Sequence, residues 1–96
     1  MTHEQVKAAA EFHDPAMATL ADRHASPAEV RAAVWILMCH SLVNLESLAE
    51  LVRQWLADSR TSPPMAQRFA RQSRQLRELI AYYRGMLNMP PAGAEA

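Results

Sequence analysis

Ala32-Ala33-Val34-Trp35-Ile36-Leu37-Met38-Cys39 is the stretch on which the fold turns: eight apolar residues in a row, inside a segment that carries every mark of a long helix. A surface helix needs one apolar stripe, whereas this segment is apolar around its whole circumference for two turns. A chain of 96 residues has little mass with which to wrap such a segment. At that size only about 60–65% of the surface of the unfolded form is buried on folding. The expectation is that a second copy of the chain, or a different protein, supplies the missing cover.

Working outward from the run, the helix that contains it has a clear start. Ser26-Pro27-Ala28-Glu29 combines a capping serine, a proline suited to the first helical position and a glutamate that completes a capping box. No Gly or Pro follows until Pro63, so the spacing predicts one helix over residues 27–58, roughly 48 Å long at ~1.5 Å per residue. On a helical wheel one stripe holds Val30, Val34, Leu37, Ser41, Leu45, Leu48, Val52 and Trp55, with Met38 and Leu56 beside it. That long stripe is expected to be the chain's own core, so that Leu48→Ala costs roughly 2–5 kcal/mol of stability. The opposite face changes character. Its first half carries Trp35, Ile36, Cys39, Leu42 and Val43, and its second half carries Glu46, Glu50, Arg53 and Gln54. The first half is therefore the expected partner or dimer interface, with Trp35, Ile36, Met38, Cys39, Leu42 and Val43 as its residues. Trp35 is the expected anchor, since Trp is enriched at binding hot spots.

Arg60-Thr61-Ser62-Pro63-Pro64 is a polar connector that caps and starts another helix, predicted over 63–88 with Met65, Phe69, Leu76, Leu79, Ile80, Tyr83 and Leu87 on its apolar side. A short connector predicts that the two long helices are antiparallel neighbours. Reversal brings Tyr83, Met86 and Leu87 beside the start of the previous helix, and Tyr82 and Met86 at that end join the expected interface. Residues 1–25 read as a helical arm in two short pieces. Thr2 and Gln5 form a capping box for the first piece, and Asp14-Pro15 is the expected start of the second. Residues 91–96 read as a disordered tail. The fold class is all-α, a single helical domain over 1–90: two long antiparallel helices and an N-terminal arm, completing a dimeric helical bundle. The scarcity of glycine and of β-branched residues supports this reading.

Ten Lys and Arg balance ten Asp and Glu, which argues against a general polyanion binder. The single cysteine, Cys39, forms no internal disulfide and suits a reducing cytosol. The first residues lack the basic and apolar parts of a secretory signal. The eight-residue run falls short of the roughly 20 residues that span a bilayer. The expected location is cytoplasmic, with no membrane partner.

The four histidines, His3, His13, His24 and His40, form none of the spacings of a zinc site. A soft copper set from Met17, Met38, Cys39 and His40 is weighed and set below core sulfur with surface imidazoles. Cys39 stands mid-helix among apolar residues, which raises a thiol pKa and opposes a nucleophilic role. No Ser-His-Asp set, Gly-rich phosphate loop or paired-carboxylate cleft is legible, so the reading is of a non-enzyme with no cofactor and no metal. The last helix carries Arg68, Arg71, Arg74, Arg77 and Arg84 against one acid, Glu78. Arg68, Arg71, Arg74 and Arg77 are candidate electrostatic contacts. They spiral around the helix without interleaved aromatics, which favours solvation of the helix, pairing with acids of the neighbouring helix or subunit, or an acidic partner over nucleic acid.

The long helix around Val34-Trp35-Ile36-Leu37-Met38-Cys39-His40, the connector Ser62-Pro63-Pro64 and the closing helix ending Tyr83-Arg84-Gly85-Met86-Leu87-Asn88-Met89-Pro90 together resemble the QslA-like quorum-sensing antiactivators. More distantly the chain resembles the TraM-like antiactivators. The resemblance spans roughly residues 27–90 and lies in size and helix layout. It implies a homodimer that binds a LuxR-type transcription regulator of the LasR kind, blocks the regulator's dimerisation and so removes it from DNA. The alternatives are a helical adaptor, chaperone or anti-defence inhibitor of another protein, and a nucleic-acid-binding helical dimer that uses the Arg-rich last helix.

Overall fold

The structure, a computed structural model, describes residues 1–89. It is all-helical, with four helices and no strand among the described residues: α1 His3–Ala10, α2 His13–Ala21, α3 Pro27–Ala57 and α4 Pro63–Met86. The expected tail, 91–96, lies outside the described residues.

The two strongest start signals form as read. The Thr2 hydroxyl accepts from the Gln5 backbone N–H, and the Gln5 side chain accepts from the Thr2 N–H. Ser26 and Glu29 make the same reciprocal pair at the head of α3, with Pro27 at the first helical position. Ser62 caps α4 through the Met65 N–H. The expected start of α2 does not form. That helix begins at His13 with Phe12 in the capping position and no side-chain cap, which places Asp14 and Pro15 inside its first turn. Only Glu11 and Phe12 separate α1 from α2, too few for Asp14 to cap anything.

α4 ends at Met86, two residues before the expected limit, and the reason is local. Asn88 adopts φ 52°, in the left-handed region that asparagine tolerates. Met89 N–H then reaches the Arg84 carbonyl at 2.9 Å and Asn88 N–H reaches that of Gly85 at 3.2 Å, the double closure of a Schellman motif.

α1, α2 and α4 all pack on α3, which is the spine. Val6 and Ala10 of α1, Cys39 and Leu42 of α3, and Leu87 and Met89 beyond α4 form one buried cluster. Ala16 and Ala33 are buried where α2 meets α3. Val52 of α3 and Leu76 of α4 are buried farther along. Phe69, early in α4, stacks on Trp55 near the end of α3 with ring centroids 5.1 Å apart. Arg84, late in α4, comes within 4.0 Å of Glu46 in the middle of α3. The molecule measures 52 × 30 × 18 Å, thin in one direction.

This packing exchanges the expected roles of the two α3 faces except at Val52, which is buried as expected. Cys39 and Leu42, expected at the uncovered interface, are fully buried in the chain's own core, with Met38 and Val43 packed against it. Val6, Ala10, Leu87 and Met89 cover them. Val34, Leu48 and Trp55, expected in the core, are 43%, 46% and 42% exposed. The short patch is short because α1, a helix of eight residues, is what lies on it.

Candidate protein-binding face

Viewed down α3, its neighbours occupy three directions. Leu42, Val52 and Leu56 point toward α4, Cys39 and Glu46 toward α1, and Ala33 and Ile36 toward α2. The remaining direction carries Val30, Val34, Leu37, Ser41, Asn44, Leu48, Leu51 and Trp55. Each is half-buried or exposed, and Leu51 is 40% exposed. The stripe foreseen from the sequence is thus displaced by one position in its second half. Asn44 and Leu51 are exposed, while Leu45 is half-buried and Val52 is buried.

α4 adds to this face. Leu79, Tyr82 and Met86 are 47%, 63% and 44% exposed, and they lie on the side of α4 away from Arg77 and Arg84, which line the opposite groove with Glu46 and Glu50. Met65 and Phe69 extend the apolar surface at the α3–α4 turn, beside Trp55. One broad side of the molecule is therefore apolar along α3 and at the end of α4, while α1 and α2 lie on the other. Single exposed apolar residues are ordinary on a protein surface, whereas this face runs most of the length of α3. By length and composition α3 is also long and apolar enough to cross a membrane.

The remaining expected interface residues are spread around the fold. Trp35 is 38% exposed and stands at the edge of the core, its indole N–H donating to the Met1 sulfur at 3.0 Å. Ile36 lines the groove between α2 and α3 with Phe12 and Ala33. Tyr82 and Met86 do stand on the open face. Arg68, Arg71, Arg74 and Arg77 are all exposed and turn through about half of the circumference of α4.

The polar chemistry concentrates where sequence reading saw only a solvated helix back. Glu46 sits between three helices, 3.3 Å from His3 Nε2 of α1 and 4.0 Å from Arg84 of α4. Arg84 is buried to 6% exposure. His13 stacks on His40 at 4.0 Å between ring centroids, and His13 Nδ1 meets Asp14 at 3.1 Å. No group of three or more His, Cys, Asp or Glu arranged to hold a metal ion occurs among the described residues. Burial pushes the Cys39 thiol above its ordinary pKa, as its place in the sequence implied.

Comparison with protein families, with curated proteins and with solved structures finds no match to this chain.

Proposed function

We propose that this chain is a non-catalytic helical inhibitor of another protein: an antiactivator that docks on a LuxR-type transcription regulator and blocks the dimerisation its DNA binding requires. In this reading α3 and α4 form an antiparallel pair whose shared apolar side is the working surface, and the dimeric helical bundle is the resting form from which a single chain is released to dock. The observation that carries the proposal is that face. A long apolar surface is left open by the fold, and Val34, Leu48, Leu51, Trp55, Leu79 and Tyr82 are each 40% or more exposed. The resemblance in helix layout to the QslA-like antiactivators supports the choice of target. An inhibitor of this kind acts by occupying area, and exposed aromatic side chains such as Trp55 and Tyr82 are the residue types that dominate such contacts.

The test is a binding assay between the purified chain and the ligand-binding domain of a LasR-like regulator, with an operator mobility shift read in parallel. The expected result is a stable complex and loss of the shifted DNA band. Leu48→Glu, placed where the side chain is half open to solvent, should abolish both effects while leaving helix content unchanged. A regulator that binds its operator equally well in the presence of excess chain overturns the proposal.

A further inference from the structure

Little apolar area holds the N-terminal arm to α3. α1 buries Val6 and Ala10, and α2 buries Ala16 alone and starts without a capping side chain. Contacts outside that small apolar area therefore weigh heavily in docking, and each of the two helices makes one to α3 through a histidine. His3 Nε2 of α1 lies 3.3 Å from both carboxylate oxygens of Glu46. The His13 ring of α2 lies on the His40 ring of α3, with centroids 4.0 Å apart and planes tilted by 32°.

Imidazole is the side chain that changes charge between about pH 5 and 8, and the two contacts answer that change with opposite sign. His3 faces Glu46, with Arg84 of α4 behind it and Lys7 of α1 and Glu50 of α3 along the same groove. A proton on His3 turns a neutral hydrogen bond to Glu46 into a charged one and tightens α1. At the other contact, His13 Nδ1 donates to Asp14 of its own helix at 3.1 Å, and His40 Nε2 accepts from the Asn44 side-chain amide at 3.1 Å. Among the described residues these are the side chains that hydrogen-bond to either ring. A first proton settles on His13, beside Asp14. A second, on His40, sets a cation against a cation at 4.0 Å and a donor against the Asn44 amide. Asp14 is fully exposed, so water screens its pull and leaves that repulsion standing.

We propose that the arm is a proton-sensing cover whose two helices respond in opposite senses: acid tightens α1 on α3 through His3 and Glu46, and lifts α2 from α3 through His13 and His40. The linkage fixes the signs. With α2 lifted, both stacked rings are free to take a proton, so the lifted state binds more protons and the docking of α2 weakens as pH falls through the imidazole range. With α1 docked, His3 holds its proton against Glu46, so the docking of α1 strengthens as pH falls through the same range. The proposal does not depend on the identity of any regulator.

The connections allow α2 to move while α1 stays. Glu11 and Phe12 join it to α1, and residues 22–26 join it to α3. Lifting α2 uncovers Ala33, which is 3% exposed in the docked state, and opens the groove that Ile36 shares with Phe12 and Pro15. Ala33 lies one helical turn from both Val30 and Leu37 of the open face. The acid form therefore widens that face sideways, while Cys39 and Leu42 stay sealed beneath α1.

The experiment is site-resolved hydrogen exchange on the full chain at about pH 7.5 and about pH 5.5, with each rate corrected for the intrinsic pH dependence of amide exchange. From the higher to the lower pH the protection of the α2 amides should fall by about fivefold, the effect of one withheld proton across the imidazole range, and that of the α1 amides should rise. His40→Gln removes the second cation, so α2 should lose its pH response while α1 keeps its own. His13→Gln is the second variant, with the same expectation. His3→Gln should do the reverse. The readout is the ratio between the two pH values, so a variant in which α2 docks less well at both still reports. α2 protection that is equal or higher in acid overturns the proposal, as does an α2 response that survives both His40→Gln and His13→Gln, or the lack of α2 protection at either pH. A fall in α1 protection alongside that of α2 overturns the opposed senses. None of these measurements contains a regulator, so failure to bind one refutes the proposed function and leaves this inference standing.

Discussion

Leu42 and Leu48 lie on one helix, six residues apart, and show how differently one side chain can be used. Leu42 is fully buried among Val6, Cys39 and Leu87. Leu42→Ala should cost about 2–5 kcal/mol of unfolding free energy in a denaturant titration. Leu48 is 46% exposed, so Leu48→Ala should cost only about 1 kcal/mol in the single chain, the part of a leucine's transfer free energy that its fold collects. An equal cost for both would return Leu48 to the core. Cys39 supplies a second residue-level outcome. Its pKa is raised by burial, so the folded chain keeps the thiol proton where the unfolded chain loses it. Below the ordinary thiol pKa, about 8.5, the two states are equally protonated and the group contributes nothing. Above it the folded state loses stability as pH rises. The loss of stability between pH 7 and pH 10 should therefore be smaller for Cys39→Ala than for wild type. Glu46 is the residue whose role the sequence concealed. Its position after Val43 on the wheel looked like the start of a solvated back, yet it meets His3 and Arg84 from two other helices. No spacing along one chain announces a contact among three segments.

At the scale of elements, most of the layout was legible because its signals are local. Ser26 with Glu29, Thr2 with Gln5 and Ser62 with the two prolines each set a helix start through hydrogen bonds made within one turn. Ser26→Ala should lower stability by about 1 kcal/mol, read as an earlier denaturant midpoint with an unchanged slope. α2, with Phe12 at its start and no capping side chain, should be the first helix to exchange its amide hydrogens. What the sequence could not decide was which apolar face of α3 the chain covers for itself. The long stripe through Leu48 and Trp55 looked like a core because it is continuous, and the patch at Cys39 and Leu42 looked like an interface because it stops at Glu46. Coverage follows from the length of the covering element. α1 is eight residues long and fills the short patch, while α4 covers a third side of α3 through Val52 and leaves the continuous stripe open. The apolar content was readable in the sequence; its assignment to inside or outside depended on two short helices whose docking carries no local signal.

At the scale of the whole molecule, an 18 Å thickness leaves room for two layers of helix and no more. α3 is therefore an interior helix on one side and a surface helix on the other, and an apolar α3 is fully covered only when something lies on that second side. Association and folding then draw on one free energy, and the thermal midpoint should climb with protein concentration for wild type while staying fixed for Leu48→Glu, as scanning calorimetry at several concentrations would show. The open stripe has a consequence for dosage as well. If the face that binds a regulator is also the face that binds a second copy, the competent species is the single chain. Its amount follows the square root of the total once pairs predominate, so a hundredfold rise in total protein yields about a tenfold rise in free inhibitor. Eight residues in steps of four and three would then act as a damper, flattening the response of the target to bursts in the inhibitor's synthesis.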